Sequence, residues 1–122
     1  RLAQNFIFKA YFLENKMIGF STGFLTHNVL DANYVGLDYD YNRSHGIYLR
    51  ILYDLVSVAI DNNVQKLNFG RTAGEIKSNL GAKSVDMECY VRTKNSVSNK
   101  IIKPFLKRIS TPDFVERNPF KG

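Results

Sequence analysis

Between Phe6 and Leu13, aromatic and aliphatic residues run for the length of one strand, and Glu14-Asn15-Lys16 follows as a tight polar turn. Met17–Leu25 continues in extended fashion, with Ile18, Phe20, Thr22 and Phe24 on one face and the small residues Gly19, Ser21 and Gly23 on the other. Two such runs around a short polar turn predict a β-hairpin. A second turn region over Thr26–Asp31 precedes a third strand, Ala32–Tyr39, in which Gly36 signals a bulge or a close approach of another group. Asp40–Gly46 reads as a polar loop.

The period changes at Ile47. Ile47, Ile51, Leu52, Leu55, Val58 and Ala59 fall on one helical face, and Arg50, Asp54, Ser57 and Asp61 on the other. Arg50 and Asp54 form an i,i+4 pair of opposite charge, and Asn62-Asn63 ends the helix. An apolar strand at 65–69 follows. Strand, helix and strand make a βαβ crossover, so 32–39 and 65–69 should run parallel. Gly70 is free to take a positive φ. Thr72 and Glu75 have capping-box spacing for a helix over 72–80, and Gly81 sits where a glycine stop belongs. Lys83–Arg92 alternates, with Val85, Met87, Cys89 and Val91 pointing one way, as a half-exposed antiparallel strand would. From Ser96 to about Ile109 the pattern is helical, with Pro104 kinking it or starting a second short helix.

The fold class that follows is α/β (α+β): antiparallel N-terminal strands, then a βαβ crossover in a mixed sheet. At 122 residues, 44% hydrophobic, the chain suits one domain, 1–122, with a single core. It begins at Arg1 and enters a strand pattern within a few residues, so we expect the C-terminal module of a longer protein, incomplete at its N-terminus. No apolar run reaches the ~18 residues of a membrane span. The one cysteine, Cys89, excludes an internal disulfide and fits a reducing, cytoplasmic compartment. With two scattered histidines, it offers no metal-ligand spacing. Residues 1–90 balance nine Lys/Arg against nine Asp/Glu, whereas 91–122 carry eight against two, so the whole +6 lies in the last quarter. That region is either a solvated tail helix or a contact surface for an anionic partner such as phosphates, lipid headgroups or nucleic acid.

The order of elements resembles the C-terminal two-thirds of the GNAT acyltransferase fold. Many GNAT enzymes carry A-x-x-x-Y-x-x-x-G-F in the helix after the fifth strand. Here Ala73 and Gly81 match that register, with Lys77 in place of the tyrosine and Ala82 in place of the phenylalanine. The run N-F-G-R-T-A-x-E-I-K-x-x-x-G-A from Asn68, with N-P-F-K at Asn118–Lys121, is more similar to the Fem-like branch, the bacterial relatives of the peptidoglycan aminoacyltransferases. The resemblance covers about residues 7 to 120.

That resemblance implies acyl transfer to an amine. The donor, acyl-CoA or aminoacyl-tRNA, would lie where two parallel strands part, and no metal would be needed. The acceptor would be an amine-bearing small molecule or cell-wall precursor. Family members mark the phosphate loop with Q/R-x-x-G-x-G/A; Arg43 and Gly46 fit it, and Tyr48 stands where the last small residue belongs. Lys77 takes the place of the catalytic acid, where it would steady a negative oxygen or a phosphate; the other reading is a surface lysine. Arg71 either clamps a carboxylate or phosphate, or caps the sheet edge. Asn68 and Gly70 would line the donor cleft, with Asp38 at the neighbouring strand end. A second reading is a non-catalytic, degenerate module of the same fold that binds a partner or anionic polymer through its basic C-terminal helix.

Overall fold

The computed structural model describes residues 5–71, 73–87, 94 and 117–120. Their order is β1 (Phe6–Leu13), β2 (Lys16–Thr26), β3 (Val29–Leu37), α1 (Tyr39–His45), α2 (Ile47–Asp61), β4 (Lys66–Asn68) and α3 (Gly74–Ser78). The strands form one mixed sheet in the order β1-β2-β3-β4. β1, β2 and β3 pair antiparallel, and β4 joins β3 in parallel through Val29↔Lys66, Leu30↔Leu67 and Asp31↔Asn68. The α+β class, the hairpin and the parallel crossover therefore hold.

The core lies between one sheet face and α2. All six residues placed on the inner helical face are buried: Ile47, Ile51, Leu52, Leu55, Val58 and Ala59. Ile47, Ile51 and Leu55 pack with Ile18; Val58 and Ala59 pack with Leu30. Ile7, Tyr11 and Leu13 reach this layer from β1. Ile18 is the extra residue where the β1–β2 register shifts, and that bulge turns it into the core. A second shift leaves Asn33 and Tyr34 of β3 facing Thr22 alone. The Thr22 hydroxyl satisfies the displaced backbone, accepting the Tyr34 N–H at 2.9 Å. Gly36 permits a close approach: a Cβ there would lie 2.2 Å from the Phe20 ring.

Several expectations change. β3 begins at Val29, so the second turn shrinks to His27-Asn28, with His27 at φ +53°. Asp40–Gly46 is no loop: 39–45 form α1, whose N-cap Asp38 accepts the Asp40 N–H at 3.1 Å. Gly46, left-handed at φ +60°, closes α1 and opens α2, which a β-carbon would resist. α3 starts after Ala73, left-handed at φ +55°, and spans 74–78 rather than the expected 72–80; Thr72, and with it the expected capping box, lies outside the described residues. Glu75 pairs with Arg117. Residues 83–87 do not form a strand and are exposed, with Val85 and Met87 over two-thirds accessible. The remainder of that expected strand, Cys89 and the helix expected over 96–109 lie outside the described residues.

Candidate functional site

β3 and β4 separate after three paired positions. Beyond Asp31↔Asn68, β3 continues to Leu37, while the chain leaves β4 through Phe69, Gly70 and Arg71. Strand β4 is short because Gly70 takes φ +73° directly after Phe69, which turns the backbone out of the ladder. Phe69 still packs beneath α2 against the Ile18 cluster, so the turn is anchored on its inner side. Gly70 remains beside β3: a Cβ there would lie 3.8 Å from the Ala32 carbonyl.

Polar side chains hold the mouth of this opening. The Asn68 amide donates to Asp31 Oδ1 at 3.1 Å, and its own Oδ1 accepts the Gly70 N–H at 3.0 Å. Lys77, from α3, is only 6% exposed. Its ammonium donates to the carbonyl of Phe69 at 2.6 Å and reaches that of Gly70 at 3.4 Å. Burial pushes the Lys77 pKa below its ordinary value, because the charged form loses hydration. Lys77 is thus neither a surface lysine nor a group open to solvent. It is a cation set behind the turn. Arg71, the next residue after Gly70, is exposed.

α3 is braced from the far end of the chain. Ser78 Oγ accepts the Arg117 N–H at 3.1 Å and donates to the Glu75 carbonyl at 2.7 Å. The Phe120 ring lies over Gly81, left-handed at φ +81°, so closely that a Cβ would come within 2.7 Å of it. These contacts bring part of the N-P-F-K motif against the A-x-x-x-K-x-x-x-G helix.

The expected site residues fall into two groups. Asn68, Gly70, Arg71 and Lys77 gather around the β4 turn. Arg43 and Gly46 sit at the α1–α2 junction, and among the described residues no hydrogen bond or ion pair joins the two groups. Arg43 is exposed in the last turn of α1. At the start of α2, Asn42 Oδ1 accepts the Tyr48 N–H at 2.8 Å, so one of the first-turn donors is already occupied. Tyr48 is half-buried, and burial raises its hydroxyl pKa. Asp38 does not meet Asn68. It lies at the other end of β3, bonded to Lys16 at 2.9 Å, and this partner holds its carboxyl below the usual range.

Asp31, placed in a turn by the sequence pattern, is the neighbour of Asn68. Asn42 and its cap were hidden inside the supposed loop. A separate depression of about 350 Å³ lies between β1 and the start of α2, lined by residues that include Tyr11, His45 and Arg50. Among the described residues no cluster of His, Cys, Asp or Glu is placed to hold a metal, and no helix is long and apolar enough to cross a membrane. Compared with protein-family models, curated proteins and solved structures, the chain matches none of them.

Proposed function

We propose that this chain is an N-acyltransferase module of GNAT and Fem-like type, transferring an acetyl or aminoacyl group to an amine. The observation that carries this reading is the parting of β3 and β4 after Asp31↔Asn68, with a glycine turn and a buried cation at the gap. Two parallel strands that separate leave backbone groups of the longer strand unpaired, and an extended acyl chain can lie along them. In the reaction the amine nitrogen bonds to the carbonyl carbon, the C–S or C–O bond breaks, and the leaving group takes the proton given up by the amine.

Within this reading Gly70 lets the donor approach the backbone, and Asn68 fixes the turn through its bond to the Gly70 N–H. Arg71, exposed at the mouth, pairs with a phosphate or carboxylate. Lys77 supplies a fixed positive potential toward the oxygen that gains charge. Arg43 and Gly46 serve the donor's phosphates at the start of α2. The donor is acyl-CoA or an aminoacyl-tRNA, the acceptor an amine-bearing small molecule or cell-wall precursor, and the setting cytoplasmic.

The test is acyl transfer by the protein in its full reading frame, with calorimetry against coenzyme A and an aminoacyl-adenosine analogue. Arg71→Ala and Lys77→Ala should each lower transfer at least tenfold; undiminished transfer in both refutes the site assignment. One observation favours the non-catalytic reading. The Tyr48 N–H is already capped by Asn42, and the tyrosine ring occupies a position that phosphate-binding relatives keep small. On that reading neither donor binds, and binding to anionic vesicles or nucleic acid falls steeply with salt.

A further inference from the structure

One row of side chains crosses all four strands: Phe6 opposite Phe24, Phe24 opposite Asp31, and Asp31 opposite Asn68. Directly paired residues share a sheet face. Leu30 and Leu67, the sequence neighbours of Asp31 and Asn68, point into the core under α2. The row therefore lies on the face opposite α2. The rings of Phe6 and Phe24 meet with centroids 5.1 Å apart, and Phe6 stays 43% exposed. Asp31 has one oxygen on the Asn68 amide; its other oxygen has no hydrogen bond or ion pair among the described residues. Lys66, two positions before Asn68, makes no ion pair with it either. A carboxylate held in place by an amide, with an aromatic surface on one side and the β3–β4 parting on the other, is complementary to a particular kind of molecule.

We propose that this row is the acceptor subsite: it binds a primary ammonium carried on an apolar body. The ammonium sits on the free oxygen of Asp31 in a charge-assisted hydrogen bond. The apolar body lies over Phe24 and Phe6, which at a strand spacing of about 4.8 Å extend roughly 10 Å from Asp31. The Phe24 ring adds attraction for a cation at its face. Asn68 connects the two halves, because the amide that orients Asp31 also holds the Gly70 turn. Calling this an acceptor subsite rests on the transferase reading; the binding preference does not.

Phenethylamine and its neutral analogue phenethyl alcohol are the probes, titrated into the isotope-labelled 122-residue chain at low salt and followed by amide chemical shifts. The amine should bind at least tenfold more tightly than the alcohol, with shifts at Phe24, Asp31 and Asn68. Asp31→Asn keeps an acceptor for the Asn68 amide and should abolish that preference without unfolding the chain. Phe24→Ala should weaken both probes. Equal affinity for amine and alcohol, a preference that survives Asp31→Asn, or shifts confined to the α2 side would overturn the assignment. The amine binding as expected in a full-length protein that transfers nothing would remove the transferase reading and leave the subsite. Transfer that proceeds with unchanged KM for the amine in Asp31→Asn would do the reverse.

Discussion

Replacing Lys77 by Met separates the two effects that meet at this residue. Met keeps the length and shape of the lysine stem and removes the ammonium, and with it the 2.6 Å bond to the Phe69 carbonyl and the 3.4 Å approach to Gly70. A hydrogen bond from a charged donor contributes about 1.5–3 kcal/mol net. The longer contact adds little, and the dehydration of a 6% exposed ammonium opposes both. A net loss of about 1–2 kcal/mol at pH 7 is expected in urea unfolding. The pH dependence has a definite sign. Burial lowers the Lys77 pKa in the folded state, so the unfolded chain holds this proton more tightly. Its unfavourable contribution is complete where both states are protonated, and it is relieved as pH rises through the folded-state value toward 10.5. Lys77→Met has no such proton, so its deficit relative to the parent should widen with rising pH, by no more than about 1.4 kcal/mol per unit. Tyr11 and Tyr48, whose raised values cost stability above pH 10, are present in both proteins and cancel in the difference. A variant as stable as the parent at pH 7 refutes the hydrogen-bond argument. A deficit that stays flat with pH refutes the lowered pKa.

Three further outcomes follow from the same structure. Gly36→Ala places a carbon within 2.2 Å of the Phe20 ring, so the ring must leave its stack on Phe8; a loss of about 1–3 kcal/mol, with altered near-ultraviolet dichroism, is expected. Asn42→Ala frees the Tyr48 N–H and should lower the melting midpoint by the equivalent of about 1 kcal/mol. The same variant should bind inorganic phosphate more tightly than the parent if the start of α2 serves anions, which titration calorimetry reads directly. Asp38→Asn removes a carboxylate that Lys16 keeps ionised. The parent's advantage over this variant should be present above pH 3.8 and disappear as pH falls through the lower folded-state value, followed by acid unfolding.

How much of this was legible in the chain depended on the range of the interactions. The six buried positions of α2 were visible because a 3.6-residue period records which face meets a sheet, whatever that sheet is. The hairpin was visible because Glu14 and Asn15 interrupt two apolar runs. α1 was not. None of its seven residues is fully buried and only Tyr41 leans on the core, so no apolar period marks them, and only Asp38 and Gly46 at its ends carry a signal. Asp31 reads as a turn residue, yet Val29-Leu30-Asp31 is strand, paired with β2 on one side and on the other with β4, more than thirty residues away, which no local pattern records. In the candidate site, Gly70 was readable from its freedom at positive φ. The burial of Lys77 was not, since it depends on where α3 folds back over Phe69. Val85 and Met87 alternate as a strand should, yet lie exposed outside the sheet: alternation records compatibility with pairing and does not supply a partner.

The dependence of α3 on Arg117 and Phe120 bears on the order in which the molecule can assemble during synthesis. A five-residue helix has no stability of its own, and here its outer contacts come from a point some forty residues downstream. While the ribosome is still delivering that stretch, the sheet and α2 can condense, but α3 lacks its brace and Lys77 has no settled place behind the turn. A nascent chain arrested short of Phe120 should therefore display a protected hairpin alongside a protease-sensitive region around Gly74–Ser78, and should gain the second protection only once Phe120 has emerged.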